Sequence, residues 1–302
     1  MNRTTRIVAS LGLLLVALAL PAAEAEKKLS LTVRGGFGFI GSGGDMKSFF
    51  DATLDRWTSN GFLGKLGHDY VGRALDFSLA ADWRFSERIG LRLAAGYLFS
   101  RWRNELEYTY DMGSGTVQGT MTYQLSALPI TLAPFLHIPL GHGRIQLGAG
   151  PTLYLVRFRY DNDQTFSEPT RRPDKQNWTW EITETFRSSL QTAIGGQAFA
   201  SLTLPIVGGI SLTLEGGYRL ARFIDLRGTF TFDSLQTWTG GSSSFNGHIE
   251  DAYVWNSTSV KEGHTWHYMD FYQTAPTDND VTRHFKFDLG ELFTSIGLQI
   301  DL

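Results

Sequence analysis

From Leu29 onward the chain alternates apolar and polar residues with a period of two, the spacing of a strand that buries one face. The closing stretch FTSIGLQIDL shows it plainly. Ile296, Leu298, Ile300 and Leu302 share one parity, and Gly297, Gln299 and Asp301 the other. The same pattern marks strands at 29–40, 75–85, 89–99, about 121–139, 145–155, about 188–204, 210–220 and from about 285 to the end. In the first, Leu29, Leu31, Val33, Phe37 and Phe39 oppose Ser30, Thr32 and Arg34. Pro129, Pro134 and Pro139 in the fourth cannot donate to a ladder and predict bulges or irregular pairing.

The connections fall into two kinds. Those after the second, fourth and sixth segments are a few residues long, whereas long loops are expected at roughly 41–74, 101–120, 159–186 and 233–284. Short turns at one end and long loops at the other are the layout of a membrane-spanning barrel. Closure has a physical cause, because lipid offers no partner to a free strand edge. The expected fold is all-β: a closed antiparallel up-and-down barrel of eight strands. A secreted sandwich also alternates, but has no reason to sort its connections by length. Trp83 and Phe85 at one end, with Tyr97, Phe99 and Trp102 at the other, suit two interfacial aromatic girdles. The last long connection carries DAYVWNSTS and TWHYMDFY, read as strands protruding above the membrane or as an extra hairpin that makes ten strands.

Composition changes this picture in three places. Arg3 and Arg6, the apolar run Ile7 to Leu20 and Ala23-Glu24-Ala25 read as a signal peptide over 1–25, leaving one barrel domain over 26–302. Removing those two arginines and Glu24 takes the formal charge from −3 to −4, with no basic stripe for a nucleic acid. Cysteine is absent, which excludes disulfides, thiolate metal sites and thiol nucleophiles.

The stretches LSALPITLAPFLHIPL, RIQLGAGPTLYL, LEGGYRLARFIDLRG and LFTSIGLQIDL resemble strands of the small outer-membrane β-barrel family of the outer membrane protein A and outer membrane protein W type. The resemblance spans nearly all of the mature chain. It implies a bacterial outer-membrane location, with outer-membrane lipids, lipopolysaccharide and the barrel assembly machinery as partners. It also admits a narrow path for small hydrophobic compounds.

Candidate chemistry is sparse. A barrel lipid hydrolase needs a His with a Ser two positions on, yet the seven histidines are followed at that spacing by Tyr70, Pro139, Arg144, Glu250, Trp266, Met269 and Lys286. His264 and His267, with Glu262 and Asp270, read as loop residues rather than a metal cluster, and no cofactor is expected. The inward charges are more informative. A hairpin centred on Glu87 sets Asp82 opposite Arg92. Arg34, Asp76, Arg84, Glu215 and Arg219 share the polar parity of their strands, so a charge network is expected to fill the lumen. In the first long loop Phe49, Phe50, Leu54 and Trp57 recur at helical spacing behind Asp45, a candidate N-cap. They predict a short amphipathic helix able to touch an apolar ligand. The expected function is a non-enzymatic membrane scaffold that presents loops; a narrow channel for hydrophobic compounds is the alternative, and a lipid-modifying barrel enzyme follows at a distance.

Overall fold

The computed structural model describes residues 29–40, 44–45, 62–67, 72–110, 115–168, 176–261, 264–275 and 281–302. The signal peptide and the predicted helix with Phe49, Phe50, Leu54 and Trp57 lie outside these. The described chain is built almost wholly of antiparallel strands: β1 Leu29–Ile40, β2 Phe62–Gly67, β3 Gly72–Arg84, β4 Ile89–Tyr110, β5 Thr116–Leu140, β6 Gly143–Glu168, β7 Trp178–Ser188, β8 Gln191–Val207, β9 Ile210–Ile224, β10 Arg227–Trp238, β11 Gly241–Lys261, β12 His264–Tyr272, β13 Val281–His284 and β14 Lys286–Asp301.

Eight of them close a ring in the order β1, β3, β4, β5, β6, β8, β9, β14 and back to β1. The seam is the pairing of β1 with β14, from Ser30↔Asp301 to Ile40↔Glu291. Three tight turns at 85–88, 141–142 and 208–209 mark the same end as Leu29 and Leu302, which are joined by a hydrogen bond of 2.8 Å from Leu302 N to Leu29 O. Gly208 and Gly209 both have positive φ, the conformation a two-residue hairpin needs and a side chain resists.

Two expectations about the strands are corrected. Much of the segments expected as the second, third and fourth long loops is strand. β4 and β5 continue to Tyr110 and from Thr116, and β6 continues to Glu168. β7 runs into β8 and β9 into β10 across short breaks at 189–190 and 225–226. Above the ring β6 changes partner from β8 to β7, and the sheet continues through β10, β11 and β12, with β2 paired to β4. The aromatic-rich segment therefore extends the sheet, and the ring stays at eight strands. The prolines, in turn, interrupt pairing without a bulge. The ladder from β5 skips Pro129 on the β4 side and Pro134 on the β6 side, while register is kept across both gaps. Alternate residues of a strand donate to opposite neighbours, so each proline costs a bond on one side only.

The outward face of the ring is apolar. It runs from Leu128 to Leu140 on β5 and from Ile145 to Leu155 on β6, spans that meet the roughly 9 to 11 residues a tilted membrane strand needs. Phe37, Phe77, Leu79, Ile194, Leu292 and Ile296 are among its exposed residues. Above that belt the same parity turns polar: Phe99 is followed outward by Arg101, Arg103 and Glu105, and Leu155 by Arg157, Arg159 and Asp161. The inward parity changes in the opposite sense. Trp102, placed in a girdle by the sequence pattern, is instead buried inside, because residue 102 has the opposite parity to the outward Tyr97 and Phe99.

Candidate functional site: the barrel lumen

Because β-strand side chains alternate, each strand of the ring sends one residue in two into the lumen, and at this diameter they meet. The lumen is layered. At the turn end Arg144 donates to both carboxylate oxygens of Asp301, at 3.0 and 2.7 Å. Arg84 lies half-buried nearby, within the field of Arg144, Asp301 and Asp82, and belongs to this end rather than to the layer above.

In the next layer the β3–β4 register sets Asp82 opposite Arg92. Arg92 donates to both oxygens of Asp82, at 2.6 and 2.8 Å, and to Gln146 Oε1 at 2.9 Å. It also reaches Glu215 on β9, across the full width of the ring. Arg34 donates to the same Glu215 carboxylate. Phe199 lies beneath the Arg92 guanidinium, 4.1 Å from carbon to ring centroid. One layer up, Arg219 donates to Asp76 at 2.6 Å, to Glu291 at 3.3 Å and to Gln197 at 3.2 Å, with Phe293 stacked at 4.1 Å. Glu215 and Arg219 share a face, as their spacing requires, but each pairs across the lumen rather than with the other.

Thus Arg34, Asp76, Asp82, Arg92, Glu215 and Arg219 are all buried in one network of two layers. Sequence reasoning missed Glu291, Gln146 and Gln197. Their inward parity was legible, but not which neighbours they meet across the barrel. Gly38 makes room for one of them, since a Cβ there would overlap the Glu291 carboxyl. Desolvating such charges is tolerable only because each guanidinium finds carboxylates and amides around its fork.

Above the charges the lumen turns apolar. Phe287 of β14 touches Phe223 of β9 at 6.0 Å, Phe158 of β6 at 6.3 Å and Trp102 of β4 at 5.9 Å between ring centroids. Phe158, Phe223 and Phe287 are all at most 2% exposed. This aromatic layer crosses the ring and leads into an apolar core that fills the upper sheet, with Val156, Tyr160, Phe186, Val254 and Phe271. At its side Asp45 ties the chain down. Its carboxylate accepts from Arg283 and, at 2.7 Å, from the Lys286 backbone N–H. Burial pushes that carboxyl up, but those hydrogen bonds outweigh it and hold it below its ordinary range. The expected role of Asp45 as a helix cap falls on 46–50, outside the described residues. His264 and His267 belong to β12, and Glu262 lies outside the described residues.

A closed ring with an apolar belt outside and a polar, self-satisfied interior is a membrane β-barrel. No protein-family model and no curated protein matches the chain. Among solved structures it is similar to a major outer membrane protein from Thermus thermophilus, at 13% identity over 92% of this chain and 100% of that one, with a TM-score of 0.29. A likeness that loose adds no argument to the ring and belt.

Proposed function

We propose that this chain is a non-enzymatic scaffold of the bacterial outer membrane, a closed barrel that holds a rigid sheet and its loops above the surface for binding. The observation that carries this reading is the filled lumen. A solute would have to break Arg92 from Glu215 and Asp82, then Arg219 from Asp76, and then part the Phe287 layer. Buried guanidinium–carboxylate pairs and packed aromatic rings are both costly to open. Outer-membrane lipids and lipopolysaccharide contact the belt in this reading, and the assembly machinery inserts it. The alternative of a narrow path for hydrophobic compounds needs an opening through both layers.

Planar-bilayer recording tests the choice. The native protein is expected to give no stable conductance, while a variant lacking both Arg92 and Phe287 side chains (Arg92→Ala with Phe287→Ala) gives small, noisy currents. Steady single-channel steps from the native protein, or their block by an apolar solute, would replace the scaffold with a channel. Unaltered lipid A by mass spectrometry is the expected result for a barrel without enzyme activity.

A further inference from the structure

Where the upper sheet leaves the barrel, β7, β10, β11 and β12 enclose a groove of about 450 Å³, the size of a small-molecule site. Its walls are aromatic. Phe230 stacks on Phe271 at 4.5 Å, and Phe232 lies 5.8 Å from Phe245, which is 66% exposed at the mouth. Two acids, Glu184 and Asp270, break this apolar lining, and none of the described residues lining it is Lys or Arg. The Glu184 carboxylate is anchored from behind, accepting from Asn162 at 2.8 Å and from the Tyr160 hydroxyl at 3.2 Å. Those donors orient it without neutralising it.

Two carboxylates on one apolar groove repel each other and resist desolvation, so what they favour is a cation. The lining argues against a metal ion, because hard cations require six or more oxygens and rings supply none. Ring faces do attract an ammonium group, and ring and chain surfaces take up an apolar body. We infer that this groove binds an apolar organic ammonium ion, its charged head between Glu184 and Asp270 and its body against Phe230, Phe232 and Phe245. The inference deepens the scaffold reading, on which it rests only for the side of the membrane the groove faces.

The test uses the full chain in detergent-free lipid nanodiscs, titrated calorimetrically with phenylbutylamine, phenylbutanol and phenylbutyrate. The amine is expected to bind about tenfold tighter than the alcohol, with the carboxylate weakest. Glu184→Gln with Asp270→Asn brings amine and alcohol within about twofold of one another. Ile249→Trp, which fills the groove without touching either acid, abolishes binding of all three. Equal binding of amine and alcohol by the native protein overturns the cation assignment, and amine binding untouched by Ile249→Trp overturns the location. Absence of binding from a barrel that also passes no current removes the groove and leaves the scaffold. Binding by a barrel that conducts does the reverse.

Discussion

The two halves of β6 use one strand in opposite ways. Below Val156 its inward residues are Gln146, Gly148, Gly150 and Thr152, and its outward ones Ile145, Leu147, Ala149 and Leu153; above, Phe158 and Tyr160 point in while Arg157, Arg159 and Asp161 point out. The register with β5 does not slip between them. What changes is the solvent. In lipid the exterior must be apolar and the polar interior must satisfy itself, whereas in water the hydrophobic effect drives the apolar parity inward. The lower half is held by charge pairing and the upper half by packing. The two are expected to fail differently.

Arg92→Met is the most damaging way to break the lower half. It leaves Asp82 and Glu215 buried without their shared partner, and a loss of about 3–5 kcal/mol is expected, read from urea unfolding in lipid vesicles. Phe287→Ala attacks the upper half by opening a cavity among Trp102, Phe158 and Phe223, with an expected cost of about 3 kcal/mol in the same assay. A third pair of variants sharpens the boundary itself. Ala149→Arg places a charge on the lipid face and is expected to cost about 2 kcal/mol, while Thr165→Arg, outward on the same strand above the belt, costs less than about 0.5 kcal/mol. Equal costs would mean the belt does not end where the polarity changes.

The smallest effect is expected at Asp45→Asn, about 1 kcal/mol, since its ion pair with Arg283 is partly exposed. Because the native carboxyl sits below its ordinary range, its contribution is present above that range and fades as pH falls through the lowered value. The gap between native and variant stability should therefore close on acidification. Glu184 behaves oppositely. Burial raises its carboxyl, so its contribution is fully present below the ordinary range and is lost as pH rises through the raised value.

The ring was legible wherever lipid imposed the pattern. Leu29 to Phe39 and Ile296 to Leu302 show their outward parity at once, and hairpin geometry alone sets Asp82 beside Arg92. The strand extensions were hidden, because an apolar outer face marks a strand only where lipid surrounds it. Arg101, Trp102, Arg103, Asn104, Glu105 and Leu106 still alternate, but with the apolar parity facing in. Partner choice across the lumen was also hidden. Parity says that Glu215, Arg219 and Glu291 point inward, but the cylinder's closure decides that Glu215 meets Arg34 and Arg92, and that Arg219 meets Asp76 and Glu291.

The natural absence of cysteine allows the inversion to be read directly, one introduced thiol at a time along β6. In vesicles, single cysteines replacing Leu147, Ala149 and Leu153 are expected to resist a water-soluble maleimide and to place an attached fluorophore within reach of brominated lipid. Those replacing Arg157, Arg159 and Asp163 should react freely and escape that quenching, while Phe158→Cys resists the maleimide and is not quenched. Lipid quenching that continues past Arg159, or aqueous labelling at Ala149, would contradict a membrane boundary at Val156 and with it the two-environment account of this barrel.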